Sequence, residues 1–398
     1  MFSITFDLNA PLSRTLTESV DMVRVRETSA ITDLLRFWDN RCVIFGCGAL
    51  GRRAIAKLLE MGIQPLALCD NNRSLWGTQI QGIPVLSVKD AANRFGGRAA
   101  FLIAVWNPHH WYGETSEQLR LAGARHVFSF HPIFWKFPYD SLPVRLLNDL
   151  PSKVYEAKEQ VLAAETVWVD DLSLRIYRAN IQWRAMGNPD LMPARPSENT
   201  YFPDDIFSPA PEECFVDCGA YDGDTVTQFL RKYGENFSAV YPIEGDPVSY
   251  EKLSRRMAAL PAHIANKIHP VHGAVGPVNA MVRFGSEGGT GSRIVEEESA
   301  GADVPCYALD DLAFAHVVTM IKMDIEGAEY GALLGGRRLI QRDKPILAIC
   351  VYHTQNDIWR IPLLVRDFLP RHKLYLRAYE GDGFQTVLYA VPPERARI

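Results

Sequence analysis

Three carboxylates stand at the ends of strand-like segments in the C-terminal half of the chain, where they could bind a cofactor and activate a substrate. Asp217, Glu244 and Asp324 each end an apolar run, and the runs are spaced like strands of successive strand-helix units. In a doubly wound sheet, ligands bind beyond the carboxyl ends of the strands, so these side chains should line one cleft. A carboxylate there can accept hydrogen bonds from ribose hydroxyls or take a proton from an acceptor.

The loop after Asp217 has the composition of a cofactor-binding turn. Gly219 and Gly223 let backbone N–H groups approach a ligand before the next helix begins. Asp222 and Asp224, with no lysine or arginine in the loop, disfavour a pyrophosphate and favour a cationic ligand such as S-adenosylmethionine. The other residues expected to contact this cofactor are Ala220, Tyr221, Thr225 and Gly245.

Three residues are candidates for catalysis: Asp324, Glu326 and His353. A sugar hydroxyl is a poor nucleophile until a base accepts its proton, and the ordinary pKa of histidine favours His353 over Asp324 for that role. Structural alternatives remain open for all three. His353 could be a hydrogen-bonded histidine at a strand end, Asp324 could cap a helix beginning at Glu326, and Glu326 could favour the helix dipole.

Several C-terminal segments together resemble the FkbM family of S-adenosylmethionine-dependent methyltransferases, over about residues 207–393. They are Phe215–Thr225, Ile321–Glu329, Tyr352-His353 and Thr386–Val391. The resemblance implies a class I methyltransferase fold and O-methylation of a hydroxyl on a sugar, a glycan of polysaccharide biosynthesis, or a related natural product. It assigns Glu244 to the ribose. It also assigns Asp217, Gly219 and Gly223 to the first cofactor motif, and Asp324, Glu326 and Glu329 to an Asp-x-Glu-Gly-x-Glu signature.

The N-terminal half contains a second glycine-rich turn that could bind a nucleotide. Gly46, Gly48 and Gly51 follow a buried strand and open a helix, and Asp70 ends the next strand, at the position where such folds hold a ribose. The region 41–130 resembles the nucleotide-sugar-binding N-terminal domain of bacterial sugar acyltransferases. A nucleotide or nucleotide-sugar is therefore one expected partner, and a purely structural scaffold is the alternative.

The predicted organisation is α/β, with two doubly wound, Rossmann-like domains. An N-terminal domain spans residues 36–135, a helical connector spans 136–206, and the methyltransferase domain spans 207–398. Seven strands fit the C-terminal sheet. The last two are separated by only Glu380–Gly383, too short for a helical crossover, so they should form an antiparallel edge hairpin.

Two rival functions remain open from the sequence. An NAD-dependent oxidoreductase would use the N-terminal Gly-x-Gly-x-x-Gly, but it leaves three aligned carboxylates in the second domain unexplained. A binding protein of a glycan pathway could retain the methyltransferase fold without activity.

The loop Gly288–Arg293 is expected to be a lid over the acceptor or a surface turn. Trp106 with its neighbours could stack on a ligand or cover the sheet.

Composition limits the partners. The chain has 398 residues with a net charge of −5, which gives no electrostatic case for nucleic acid or an anionic membrane, and we expect a cytoplasmic protein. The seven cysteines are scattered, so no disulfide is predicted. His109 and His110 are adjacent rather than at the spacing of metal ligands, so no metal site is predicted. Apolar residues of the connector could bury a homodimer contact or pack the two domains together: Trp168, Ile176 and Trp183.

Overall fold

Two units, each built around a mainly parallel sheet, make up the chain. The computed structural model describes residues 7–107, 109–138, 149–187, 189, 200–285, 293–294 and 301–397. Strands and helices alternate in both units, so the predicted α/β class with two doubly wound sheets is confirmed.

Six strands form the N-terminal sheet, and they are β1 (Cys42–Phe45), β2 (Ala67–Cys69), β3 (Gln79–Ile80), β4 (Ile83–Leu86), β5 (Ala100–Ile103) and β6 (Val127–Ser129). Their order is β3-β4-β2-β1-β5-β6, with only β3 and β4 antiparallel. The helices of this unit are α3 (Ala49–Glu60), α4 (Val88–Phe95), α5 (Tyr112–Ala122) and α6 (His131–Lys136).

Seven strands form the C-terminal sheet, as predicted, and they are β7 (Glu213–Cys218), β8 (Phe237–Glu244), β9 (Val271–His272), β14 (Met320–Met323), β15 (Ile346–Cys350), β16 (Lys373–Ala378) and β17 (Thr386–Val391). The order is β16-β17-β15-β14-β7-β8-β9. Strand β17 is antiparallel to both of its neighbours, so the edge hairpin is confirmed. The helices are α10 (Asp224–Tyr233), α11 (Pro247–Ala258), α12 (Ala262–Ala265), α13 (Glu329–Gly335), α14 (Arg337–Asp343) and α15 (Asp357–Phe368).

A small third sheet was not predicted. It contains β10 (Ala274–Val275), β11 (Ala280–Gly285), β12 (Arg293–Ile294) and β13 (Ala302–Tyr307), in the order β10-β13-β11-β12. Strand β9 of the C-terminal sheet and β10 of the small sheet are separated only by Gly273. A Cβ at Gly273 would lie 2.6 Å from the carbonyl oxygen of Pro305, so glycine allows the two sheets to approach closely here.

The helices of the predicted connector share a hydrophobic core with the C-terminal sheet. They are α7 (Pro151–Glu156), α8 (Lys158–Glu165) and α9 (Asp171–Met186), and α1 (Leu12–Thr15) joins them. Ile176 and Trp183 are almost fully buried within the chain and Trp168 packs against the same core. These side chains therefore pack the chain against itself, and the homodimer stays a prediction.

The long helix α2 (Val20–Phe37) lies before the predicted start of the N-terminal domain. Its side chains join both cores, with Val23 in the C-terminal core and Ile31 and Leu35 in the N-terminal core. Ser19 begins the helix by accepting a hydrogen bond from the amide of Met22. Helix α2 thus packs against both units, and residues before position 36 contribute to the N-terminal fold.

The turn between β16 and β17 contacts the N-terminal unit. Asp382 accepts a hydrogen bond from the amide of Tyr112 at 3.0 Å and lies 3.3 Å from Nδ1 of His110. Trp106, which follows β5, packs its ring 5.3 Å from that of Phe384. Because both loops follow the carboxyl ends of parallel strands, the carboxyl edges of the two sheets meet at this turn.

All seven cysteines are buried and free, as their scattered positions predicted. Among the residues that the structure describes, no helix combines the length and apolar character needed to cross a membrane.

Candidate active site

A cavity of about 390 Å³ opens at the carboxyl edge of the C-terminal sheet. It is lined by most of the residues predicted for the site, namely Gly219, Tyr221, Thr225, Glu244, Gly245, Asp324, Glu326 and His353. Asp217, Ala220 and Gly223 are buried behind its wall instead. The ends of three neighbouring strands, β7, β8 and β14, thus bring the predicted carboxylates to one place.

Glu244 is positioned at the end of β8 by two backbone amides. Its Oε2 accepts a hydrogen bond from Tyr221 at 2.8 Å, and its Oε1 accepts one from Asp246 at 2.7 Å. Burial raises the pKa of Glu244 to about 7, although both amides lower it. The carboxylate is fixed against the glycine loop, and each oxygen keeps a second lone pair for a ligand hydroxyl.

Behind the cavity wall, Asp217 forms an ion pair with Lys322. These residues are register partners on β7 and β14, both almost fully buried, and Nζ lies 3.0 Å from Oδ1. The contact lies outside hydrogen-bonding geometry, and the ammonium instead donates to the carbonyl oxygen of Gly219 at 2.6 Å. Burial raises the pKa of Asp217 to about 6 despite Lys322, so at neutral pH both groups are charged.

Gly219 must be glycine because two loops meet there. Its φ is +81°, and a Cβ would lie 1.9 Å from the carbonyl oxygen of Asp324. The first cofactor loop therefore rests directly on the turn that follows β14, which fixes the position of Asp324 relative to the loop.

Asp324 lies at the cavity wall among hydrogen-bond donors. Tyr201 donates its hydroxyl to Oδ2 at 2.7 Å, and Nε2 of His353 lies 3.2 Å from Oδ1. Burial alone would raise the pKa of Asp324, but His353, Lys322 and Tyr201 together hold it well below its usual range. The prediction that Asp324 caps a helix is wrong, because α13 begins at Glu329 and the residue before it is Ala328.

His353 lies between carboxylates. Its Nδ1 is 2.7 Å from Oε1 of Glu329, and Glu329 also accepts hydrogen bonds from the amides of Ile325 and Gly327. Burial lowers the pKa of His353, but Glu329 and Asp324 outweigh burial and raise it well above its ordinary value. The raised pKa favours the protonated imidazole, which has no lone pair with which to accept a proton.

Among the cavity residues that had no role in the sequence analysis are Lys322, Tyr201 and Phe384. A lysine inside an otherwise apolar strand was a readable signal for Lys322, because a buried lysine needs a partner. Tyr201 lies in the predicted connector and Phe384 in a turn, and no local pattern places either at the site. The loop from Gly288 to Arg293, predicted as a lid, lies outside the described residues apart from the backbone of Arg293.

Comparison with known proteins identifies the unit that holds this cavity. Residues 217–377 match the family model described as the methyltransferase FkbM domain. This stretch of the C-terminal unit is therefore similar to an FkbM methyltransferase domain. The match supports a methyltransferase, as the resemblance of the signature segments implied, and the Asp217 loop, Glu244 and Asp324 all lie within the matched range.

One solved structure shares the fold, and two others align over about half of the chain with low TM-scores. The methyltransferase FkbM of Methylobacillus flagellatus KT aligns with a TM-score of 0.74 and 21% identity, covering 96% of this chain and 100% of that one. Precorrin-6y C5,15-methyltransferase of Geobacter metallireducens GS-15 aligns with a TM-score of 0.28 and 13% identity, over 46% of this chain and 81% of that one. Aeropyrum pernix fibrillarin, solved with natively bound S-adenosyl-L-methionine, aligns with a TM-score of 0.28 and 11% identity, covering 46% of this chain and 67% of that one. No curated protein matches the chain.

The alignment with the M. flagellatus protein spans both units, so the fold of the whole chain is shared with an FkbM methyltransferase. The likeness of the N-terminal unit to the sugar acyltransferase domain stays a prediction.

Replacing Lys322 by methionine should destabilise the FkbM domain, because Asp217 would remain buried without its cation. Breaking one partner of a buried pair costs about 3–5 kcal/mol. Urea unfolding followed by circular dichroism should show this loss, and Lys322→Met with Asp217→Asn should recover much of it. The exposed Lys252 offers a matched control, since Lys252→Met should change stability by less than about 0.5 kcal/mol. Wild-type stability in Lys322→Met would contradict the role of the pair.

Proposed function

We propose that the protein is an S-adenosylmethionine-dependent methyltransferase that methylates a hydroxyl of a sugar, a glycan or a related natural product. The observation that carries the proposal is the joint exposure of Glu244 and Asp324 to one cavity inside an FkbM domain. The expected acceptor is a small molecule or glycan rather than nucleic acid or a membrane, and the expected compartment is the cytoplasm.

The cofactor would lie along the glycine loop. Glu244 would accept hydrogen bonds from the ribose hydroxyls, with Gly245 beside it. The amino-acid part would lie over Gly219 and Tyr221, near Thr225. Asp224 also lines this end of the cavity, and its negative charge suits a ligand that carries a sulfonium and an ammonium group.

The acceptor would lie at the other end of the cavity, against Asp324 and Glu326. Methyl transfer requires the acceptor oxygen, the methyl carbon and the sulfur in line, and positioning supplies much of the rate. Asp324, ionised and held by Tyr201, would orient the hydroxyl. His353, held between Asp324 and Glu329, would act by fixing this carboxylate rather than as the free base that the sequence favoured.

Neither rival function draws support from a specific observation. An oxidoreductase would leave the cavity at Glu244 and Asp324 without a role.

One observation supports the further proposal that the N-terminal unit binds a nucleotide or nucleotide-sugar. Asp70 repeats the bonding of Glu244, because it accepts hydrogen bonds from the glycine-loop amide of Cys47 and from the amide of Asn72, both at 2.8 Å. In each case the acid accepts the amide of the residue two positions later. The exposed Gly48 would then face the phosphates, while the buried Gly46 and Gly51 allow the loop and the helix to pack closely.

Affinity for S-adenosylhomocysteine should rise with pH through about 7 if Glu244 holds the ribose. The carboxyl is protonated below its pKa of about 7 and ionised above it, and the ionised form is the stronger acceptor. Calorimetric titration gives the affinity of the wild type divided by that of Glu244→Gln at each pH. This ratio should be about tenfold larger at pH 8 than at pH 6. The ratio removes the titration of the ligand's own amino group. A ratio that does not change with pH would remove Glu244 from the ribose site.

Methyl transfer can be tested with S-adenosylmethionine and a panel of free sugars and nucleotide sugars, measuring S-adenosylhomocysteine by mass spectrometry. We expect product only with a hydroxyl acceptor, and a rate about a hundredfold lower in Glu326→Gln, which should keep its cofactor affinity. Transfer to an amine or thiol in place of a hydroxyl would show that the acceptor class is wrong.

Asp70→Asn should weaken UDP or NAD binding about tenfold or more while leaving S-adenosylhomocysteine affinity unchanged, because a charged acceptor becomes neutral at the N-terminal loop alone. Calorimetry on the full chain measures both affinities. If the wild type binds neither UDP nor NAD, the N-terminal unit is a scaffold.

A further inference from the structure

Four side chains with possible metal-ligand atoms converge where the acceptor would lie in the proposed function, namely those of Asp324, Glu326, Glu329 and His353. Nε2 of His353 is 3.2 Å from Oδ1 of Asp324 and 3.8 Å from Oε1 of Glu326. One ligand atom from each of Asp324, Glu329 and His353 lies within 4.8 Å of the other two. Atoms bound to one cation at about 2.0–2.2 Å lie at such separations from one another.

The ring nitrogen at the centre of this cluster lacks a hydrogen bond. His353 is only 9% exposed, and its Nε2 is buried without a hydrogen-bond partner, since the approach to Asp324 has a suitable distance but not a suitable direction. A buried polar atom without a partner costs free energy. This nitrogen lies within 4 Å of the carboxylates of Asp324 and Glu326, which also line the cavity, and a cation there would satisfy all three groups.

The other ring nitrogen is held as it is in metal-binding histidines. Nδ1 contacts Oε1 of the fully buried Glu329 at 2.7 Å, and the amides of Ile325 and Gly327 fix that carboxylate. Ligating histidines usually donate their second N–H to a carboxylate, which fixes the tautomer and aims the remaining lone pair at the metal.

We propose that Asp324, Glu326 and His353 bind one divalent cation, with Glu329 orienting His353. Two carboxylates and one imidazole suit Mg²⁺ or Mn²⁺, and the cavity side leaves coordination positions open. The sequence predicted no metal site because these ligands come from two separate loops with no recognisable spacing.

The inference rests on the proposed methyl transfer and supplies its missing activation step. A cation that binds the acceptor oxygen lowers the pKa of its hydroxyl, so no neutral histidine is needed as a base. The hydroxyl proton passes to water, the oxygen–carbon bond forms as the sulfur–carbon bond breaks, and the sulfonium becomes a neutral thioether.

Titration of the EDTA-treated full chain with Mn²⁺, followed by electron paramagnetic resonance of free Mn²⁺, tests the site directly. We expect one bound ion per chain. Asp324→Asn and Glu326→Gln should weaken binding by at least about a hundredfold, and Glu329→Gln by about tenfold to a hundredfold. Glu251→Gln, at an exposed position of α11, should bind Mn²⁺ like the wild type.

Binding of S-adenosylhomocysteine, measured on the same samples, separates this inference from the proposed function and verifies that each variant is folded. Wild-type protein that binds S-adenosylhomocysteine but no Mn²⁺ would overturn the metal site and leave the cofactor proposal intact. Equal Mn²⁺ binding by wild type, Asp324→Asn and Glu326→Gln would also overturn it. Mn²⁺ binding that depends on these residues would support the site even if S-adenosylhomocysteine did not bind.

Discussion

The buried ammonium of Lys322 is the interaction on which the C-terminal site depends. It lies between Asp217 and the carbonyl oxygen of Gly219, and its charge also helps to keep Asp324 ionised. Removing a lysine from water is costly unless it is paired, so the pair fixes the relative position of β7 and β14. The same cation thus holds the glycine loop after β7 and contributes to the low pKa of Asp324.

Backbone strain is concentrated at the same cavity. Of the described residues other than glycine, Tyr201, Tyr221, Glu326 and Gln385 line the cavity with positive φ. Such conformations cost about 1–3 kcal/mol each and persist only where surrounding contacts enforce them. The contacts are visible here, since Tyr201 donates to Asp324 and the amide of Tyr221 donates to Glu244. Strain and charge together indicate a site organised for binding rather than for stability.

The sequence predicted what depends on local order along the chain. The ends of β8 and β14 could be read from an apolar run that ends in an acid, which is why Glu244 and Asp324 were placed at one edge of the sheet. The short turn before β17 predicted the hairpin. What it missed depends on contacts distant in sequence. The raised pKa of His353 depends on Glu329, which lies 24 positions away in the sequence. The hydroxyl of Tyr201 donates to Asp324 across 123 positions. No periodicity records either contact.

The position of the N-terminal unit gives it an influence on the cavity whatever it binds. Phe384 and Gln385 line the cavity, and the turn that carries them is held by Asp382 against Tyr112 and by Trp106 against Phe384. A change in the loop after β5 would therefore move a wall of the methyltransferase site directly, without any longer route of coupling. The same contact joins the carboxyl edges of the two sheets, so a molecule bound at the N-terminal edge would lie on the side of its unit that faces the FkbM domain.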